Sequence, residues 1–178
     1  EAMWVTTGDL PGECYLYLTR DKFKTVQRIG DGTQAWRAVH LHFTPDSICW
    51  ITDSNLATNH ASRISRGSDL LQRGQEFDGS AWYGLKTVEG EYISFTTVEV
   101  GPAIRTNQCQ IYISDDAFHW QKVGSFHKDF WRPMTLFKFG VINCPVGSQS
   151  SRRLIISGEG LRGIDGKTIE IDLRSEEH

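Results

Sequence analysis

Two seven-residue stretches, Trp4-Val5-Thr6-Thr7-Gly8-Asp9-Leu10 and Trp50-Ile51-Thr52-Asp53-Ser54-Asn55-Leu56, decide the fold class. Each is an apolar, β-branched run that ends in a small polar residue and an acidic or amide side chain, and the two tryptophans are 46 residues apart. Phe95–Val100 and Ile155–Glu159 continue the series. Runs of this type, bounded by turn residues, are typical of β-strands.

Two further series repeat with a similar period. Segments that begin at Trp36, Trp82 and Trp131 are 46 and 49 residues apart. The same two spacings separate the hydroxyl residues of three more strand-like segments: Thr19, Ser65 and Ser114. A period of roughly 40–50 residues is typical of four-stranded propeller blades. The sequence therefore predicts an all-β fold, a partial β-propeller of about four imperfect four-stranded blades in a single domain of residues 1–178.

The repeat also predicts where the strands lie. The units are expected at about 1–34, 35–80, 81–129 and 130–178. With strands labelled A to D outward from the propeller axis, A strands are expected to begin near residues 35, 81 and 131. B strands are expected near 3–8, 48–53, 92–98 and 153–158. C strands are expected near 14–19, 61–65, 109–114 and 167–172, and D strands near 24–28, 70–76 and 119–123. The first unit lacks an A strand and the last lacks a D strand.

Composition excludes several classes of function. The formal charge of −3 and a pI of about 6.1 leave no basic excess to neutralise phosphates, so nucleic acid is not an expected partner. No apolar run approaches the roughly 18 residues that cross a bilayer, and no signal peptide opens the chain, which favours a cytoplasmic protein. The four cysteines are widely spaced and form no Cys-x-x-Cys pair, so no zinc or redox motif is present.

Two segments resemble a known structural motif. Thr19-Arg20-Asp21-Lys22-Phe23-Lys24-Thr25-Val26 resembles the Asp-box of sialidase-like (BNR) β-propellers, S/T-x-D-x-G-x-T-W, with Phe in place of Gly and Val in place of Trp. Ser114-Asp115-Asp116-Ala117-Phe118-His119-Trp120 is a second copy, one residue shorter. In that family the box lies between strands C and D, remote from the ligand site, so we assign these residues no chemistry.

The resemblance also implies where a ligand site would lie. Sialidases use an arginine triad for the substrate carboxylate, a Tyr–Glu nucleophile pair and an acid Asp. The matching candidates here, with Arg105 on a neighbouring loop, are Arg37, Tyr83, Arg132, Glu99 and Asp53. These residues either line the axis and bind an anionic sugar, or they flank structural tryptophans and solvate strand ends. Acidic residues recur at the ends of the B strands (Asp9, Asp53, Glu99 and Glu159), but their spacing does not pair them for glycoside hydrolysis.

We therefore expect a non-catalytic binding or assembly module of propeller type, with a carbohydrate or other anionic ligand as one option. The alternatives are a fragment or a relative of a sialidase-like glycoside hydrolase, and a purely structural interaction domain without a small ligand. His40 and His42 face the same side of one strand, but no third ligand supports a metal site, and no cofactor is expected. An open run of blades either closes on itself as a small four-blade ring or joins a second chain across a two-fold axis. Because incomplete end units leave strand edges unpaired, we expect a homodimer joined mainly through the terminal blades.

Overall fold

The computed structural model describes residues 2–131, 133–134 and 139–174, which form an all-β structure of four antiparallel sheets. Sheet 1 has the order β1–β2–β3: Met3–Thr7, Cys14–Thr19 and Gln27–Gly32. Sheet 2 has the order β4–β5–β6–β7: His42–Phe43, Ser47–Ile51, Asn59–Ser65 and Gln72–Phe77. A short 3-10 helix, Gln34–Trp36, connects sheets 1 and 2.

The second half of the chain repeats this arrangement. Sheet 3 has the order β8–β9–β10–β11: Ala81–Lys86, Tyr92–Thr96, Gln108–Ser114 and Gln121–His127. Sheet 4 has the order β12–β13–β14: Val141–Asn143, Leu154–Glu159 and Thr168–Ile171. Consecutive strands pair within every sheet, so each sheet is a simple meander.

Three apolar layers separate the sheets in chain order. Leu16 and Ile29 of sheet 1 pack with Trp50 and Ile64 of sheet 2. Alternate residues of the same two strands, Cys49 and Ile51 of β5 and Ala61 of β6, point to the opposite face, where they pack against sheet 3. The third layer lies between sheets 3 and 4 and contains Ile93, Ile111 and Leu154, among others. The inner strands of the two middle sheets, β5, β6, β9 and β10, are therefore mostly buried, whereas the outer strands β7 and β11 are mostly exposed.

The predicted B and C strands are confirmed in all four units, and so are the D strands of the second and third units. In the first unit the D strand lies at Gln27–Gly32, slightly later than predicted. The A strand near residue 81 is confirmed as β8. One predicted A strand is wrong: the chain near residue 35 forms the 3-10 helix. The A strand expected near residue 131 falls largely on residues outside those that the structure describes, and the described strand β12 begins at Val141.

Packing of Trp36 explains why no A strand forms near residue 35. Its indole is buried against Gly30, where an added Cβ would lie 2.7 Å from a ring carbon, and its ring centroid is 5.7 Å from that of Trp50. The tryptophan therefore covers the layer between sheets 1 and 2 instead of starting a strand. The A strand of sheet 2 follows only at His42–Phe43.

Each sheet is associated with one cysteine, and all four thiols are free. Cys14 lies in β2, Cys49 in β5 and Cys109 in β10, all buried, whereas the half-buried Cys144 directly follows β12. Burial raises the pKa of the Cys49 thiol to about 11 and that of Cys109 to about 12. These thiols behave as small apolar side chains in the core.

Candidate functional site

An ion-paired group lies where the B strands of sheets 1 and 2 end. The Arg37 side chain donates from Nε to Asp53 Oδ2 at 3.1 Å and from Nη1 to the Asp9 carbonyl at 3.1 Å. Its Nη2 lies 3.1 Å from Asp9 Oδ1. The backbone is fixed as well, because the Asp53 N–H donates to the Arg37 carbonyl at 3.0 Å. All three guanidinium nitrogens therefore have partners within the chain.

Sheet 3 contributes to the same group. Trp82 donates its indole N–H to Asp53 Oδ1 at 2.7 Å, so both oxygens of this buried carboxylate are engaged. Burial raises the pKa of Asp53, the Arg37 charge opposes that rise, and the negative charge of Glu99 adds to it. Glu99 is itself buried and accepts hydrogen bonds from Ser80 and, at 3.1 Å, from Thr97.

The structure thus brings together three of the residues that sequence analysis selected: Arg37, Asp53 and Glu99. Tyr83 directly follows Trp82 in the sequence but is 38% exposed, and the two ring centroids are 6.5 Å apart. Arg132 lies outside the described residues. Arg105 is placed differently, in exposed ion pairs with Glu76 and Asp78.

Of the acidic residues at the ends of the B strands, Asp9 and Asp53 share the Arg37 side chain, and Glu99 is close enough to act electrostatically on Asp53. The arrangement connects three sheets through polar contacts. Its buried carboxylate and guanidinium are satisfied internally, as buried charges require. The described part of the chain also has five clefts, and these are lined by side chains that do not belong to the Arg37 group.

Sequence reasoning missed two members of this group. Trp82 was expected only to pack, but its indole N–H is the partner of a carboxylate. Ser80 carried no signal at all, although its hydroxyl contacts Glu99. A tryptophan N–H that is withdrawn from solvent usually has an acceptor, which would have been the available clue for Trp82.

The two histidines of the His40-Leu41-His42 segment also lie between sheets. His42 is fully enclosed, with Nε2 2.8 Å from Ser94 Oγ and its ring 5.4 Å from that of Trp120. His40 is half-buried, and the two imidazole centroids are 4.6 Å apart. Burial, with a smaller effect of His40, lowers the pKa of His42 well below its ordinary value. Among the described residues, no group of three His, Cys, Asp or Glu side chains is placed to hold a metal ion.

The two box-like segments form hydrogen-bonded turns between β2 and β3 and between β10 and β11. In the first, the Asp21 carboxylate accepts from the Thr25 N–H at 2.9 Å and from the Thr25 hydroxyl at 2.7 Å. Phe23, which stands where the motif has Gly, has a positive φ of 67°. In the second, Asp116 Oδ1 accepts from the N–H groups of Phe118 at 2.9 Å and His119 at 2.8 Å. Both turns thus use an acidic side chain as an acceptor for backbone N–H groups.

An apolar groove of about 690 Å³ lies beside β1. One edge of β1 pairs with β2, and the opposite edge has no partner among the described strands. Half-buried and exposed apolar side chains from β1, from the first box turn and from the segment around β4 line the groove: Met3, Trp4, Val5, Phe23, Val39, Leu41 and Phe43. Arg66 is its one charged lining residue among those described, and its guanidinium donates to the Thr44 carbonyl at 2.8 Å.

Comparisons with protein-family models, with curated proteins and with solved structures give no match. The resemblance to sialidase-like propellers therefore stays a prediction. In the part of the chain that the structure describes, no helix has the length and apolar character needed to span a membrane.

Proposed function

We propose that this chain is a non-catalytic assembly module built as a partial β-propeller, and that it associates through the open edge of its first sheet. The four sheets support the propeller arrangement, because each is an antiparallel meander and neighbouring sheets pack face to face in chain order. Sheets 2 and 3 have four strands each, as complete blades do.

The open edge of β1 is the observation that carries this proposal. In sheets 2 and 3 an A strand pairs antiparallel with the B strand, as β4 does with β5 and β8 with β9. β1 is the B strand of sheet 1, and the position of its A strand is occupied by the apolar groove. An extended strand placed there would pair with free backbone groups and cover apolar side chains at the same time.

The partner in this proposal is a second copy of the chain. A two-fold interface uses the same surface twice, so two β1 edges that meet would pair antiparallel and join both apolar grooves. Val5, Phe23, Val39 and Phe43 are all exposed along this groove. An exposed apolar surface next to an unpaired strand edge is typical of an interaction site.

The contacts of Arg37 favour this proposal over an anionic-sugar site. A ligand carboxylate would have to displace Asp9 or Asp53 from a guanidinium whose three nitrogens are already bonded. Displacing Asp53 would leave a buried carboxylate without its counter-ion. For the same reason we expect no turnover of a fluorogenic sialoside.

Light scattering at micromolar concentration tests the assembly. We expect about twice the chain mass of 20.2 kDa for the wild type. Val5→Lys, which places a charge on the groove side of β1, should give the monomer. Val146→Lys is the matched control, because Val146 is fully exposed elsewhere and the same change there should leave the dimer intact. A clean monomer for the wild type, or a dimer that survives Val5→Lys, would contradict the proposal.

A further inference from the structure

A narrow cleft of about 130 Å³ lies between sheets 1 and 2, at the end where β2 and β6 finish. β1 begins at this end, whereas the Arg37 group lies where β1 and β5 finish, so the two features are at opposite ends of the sheets. The cleft adjoins the groove beside β1, with which it shares Trp4 and Arg66, but it is smaller and more enclosed. Its lining comes from all three strands of sheet 1, from β6 and from the turn after β6.

Strand register directs side chains of sheet 1 into this cleft. Trp4, Leu18 and Gln27 lie directly opposite one another in β1, β2 and β3, so they form one row on a single face. This face packs toward sheet 2, because Leu18 and Ile29 belong to the apolar layer between the two sheets. Arg20 follows Leu18 by two residues, so its side chain is on the same face, and it lines the cleft at the end of β2.

Sheet 2 contributes a second arginine from the opposite wall. Ile64 of β6 packs in the same apolar layer, and Arg66 follows it by two residues. The Arg66 guanidinium donates from Nε at 3.2 Å and from Nη2 at 2.8 Å to the Thr44 carbonyl, which leaves three of its five N–H groups for another acceptor. Ser68 also lines the cleft, and its hydroxyl accepts from the Leu70 N–H at 3.1 Å, so the hydroxyl proton can be donated.

These two arginines bring positive charge to the cleft without a counter-ion. Arg20 and Arg66 are exposed, and neither has a carboxylate within ion-pair distance in the described part of the chain. The described residues that line the cleft include no Asp or Glu. Arg37, Arg105 and Arg153, in contrast, each form an ion pair with an acidic side chain. The described part of the cleft therefore combines two cationic groups with an apolar wall and offers them no acceptor of opposite charge.

From this geometry we infer that the cleft binds a short aliphatic carboxylate. The carboxylate group accepts hydrogen bonds from Arg20 and Arg66, and the alkyl chain lies against Trp4, Leu18 and Ile29. An apolar cavity of about 150 Å³ holds benzene, with six carbon atoms, so a cleft of about 130 Å³ has room for an alkyl chain of about five carbon atoms. Inorganic anions satisfy only the arginines and leave the apolar wall uncovered. The inference does not depend on dimer formation, because both walls of the cleft belong to one chain.

The test follows the indole N–H of Trp4 by NMR while the full chain is titrated, at constant ionic strength and pH 7, with acetate, hexanoate, hexan-1-ol and sulfate. Hexanoate should shift this resonance saturably, with a dissociation constant on the order of 1 mM for a ligand of this size. Acetate should bind at least tenfold more weakly, because it lacks four methylene groups that hexanoate buries. Hexan-1-ol, which has the chain without the charge, and sulfate, which has the charge without the chain, should also bind at least tenfold more weakly.

Two variants show whether the response belongs to the cleft. Arg20→Gln and Arg66→Gln each remove one positive charge at an exposed position, and each should weaken hexanoate binding at least fivefold. Arg28→Gln is the matched control: Arg28 is also exposed in sheet 1, but it lies opposite Tyr17 on the other face and should leave the affinity unchanged. No saturable response to hexanoate, equal binding of hexan-1-ol or sulfate, or unchanged affinity in both arginine variants would overturn the inference.

Discussion

Arg37 and Asp53 form a buried ion pair in which Nε lies 3.1 Å from Oδ2, with side chains only 14% and 5% exposed. The pair joins the connection after sheet 1 to the end of β5, and Trp82 adds sheet 3 through the second carboxylate oxygen. Breaking an ion pair that only binds ligand would change the free energy of unfolding little. Breaking an ion pair that holds three sheets together should lower the free energy of unfolding substantially.

Replacing Arg37 by Met should therefore lower the free energy of unfolding by about 3–5 kcal/mol at pH 7, because Asp53 stays buried without its counter-ion. Chemical denaturation followed by tryptophan fluorescence measures this loss. Arg153→Met is the control: its ion pair with Glu170 is exposed, and such pairs contribute about 0–1 kcal/mol. Equal, small losses for both variants would argue against a structural role for Arg37.

The Arg37→Met loss should also depend on pH. In the native protein burial raises the pKa of Asp53 and Arg37 opposes this, so the variant should have a still higher Asp53 pKa. A carboxyl whose pKa is higher in the folded state favours folding at low pH, and that contribution is lost as pH rises through the folded pKa. The deficit of the variant should therefore shrink between pH 7 and pH 4.5. A constant deficit would mean that packing, not charge, explains the loss.

His42 should make the protein sensitive to acid. Its pKa is well below the ordinary value in the fold, so below about pH 6.5 the unfolded chain takes up a proton that the folded chain excludes. Each such histidine lowers stability by about 1.4 kcal/mol per pH unit in that range. His42→Gln should lose some stability at pH 7.5 but show a flatter decline toward pH 5.

Gly84 permits the close approach of sheets 2 and 3. An added Cβ would lie 2.7 Å from the Ile93 carbonyl oxygen and 2.8 Å from Cε1 of His42. Gly84→Ala should therefore lower stability by about 1–3 kcal/mol through overpacking. Gly124→Ala is the matched control, because its Cβ would meet only Ile111 at an ordinary 3.7 Å. Thermal melts of the two variants make the comparison, and a tolerated Gly84→Ala would show that this interface is looser than described.

The second box turn should stabilise the fold in two separable ways. Trp120 is buried next to His42, so Trp120→Ala should cost about 3–5 kcal/mol. Asp116→Ala removes the acceptor for two backbone N–H groups, together with the contacts to the Ser114 hydroxyl and to His119 Nδ1, and should cost about 1–2 kcal/mol. Denaturant midpoints measure both. A Trp120→Ala protein that unfolds like the wild type would show that the turn is not part of the core.

The B and C strands could be predicted because alternation and period are local properties of the sequence. The A strands are harder to predict than the B and C strands. The segments at Trp36 and Trp82 are similar in sequence, but packing against Gly30 and Trp50 decides where Trp36 lies. The candidate site shows the same limit. Arg37 was recognised as unusual, but its partner Asp9 is 28 residues away, and nothing local indicates that pairing.

The distribution of one thiol to each sheet turns the cysteines into a set of separate probes. A thiol with a raised pKa in a closed core reacts with an alkylating reagent only when its own sheet opens. Mass spectrometry of peptides containing the three buried residues Cys14, Cys49 and Cys109 would then give an opening rate for each of the first three sheets within one sample. Three equal rates would mean that these sheets unfold as one cooperative unit, whereas a gradient along the chain would mean that they separate one after another, as in stacked repeats.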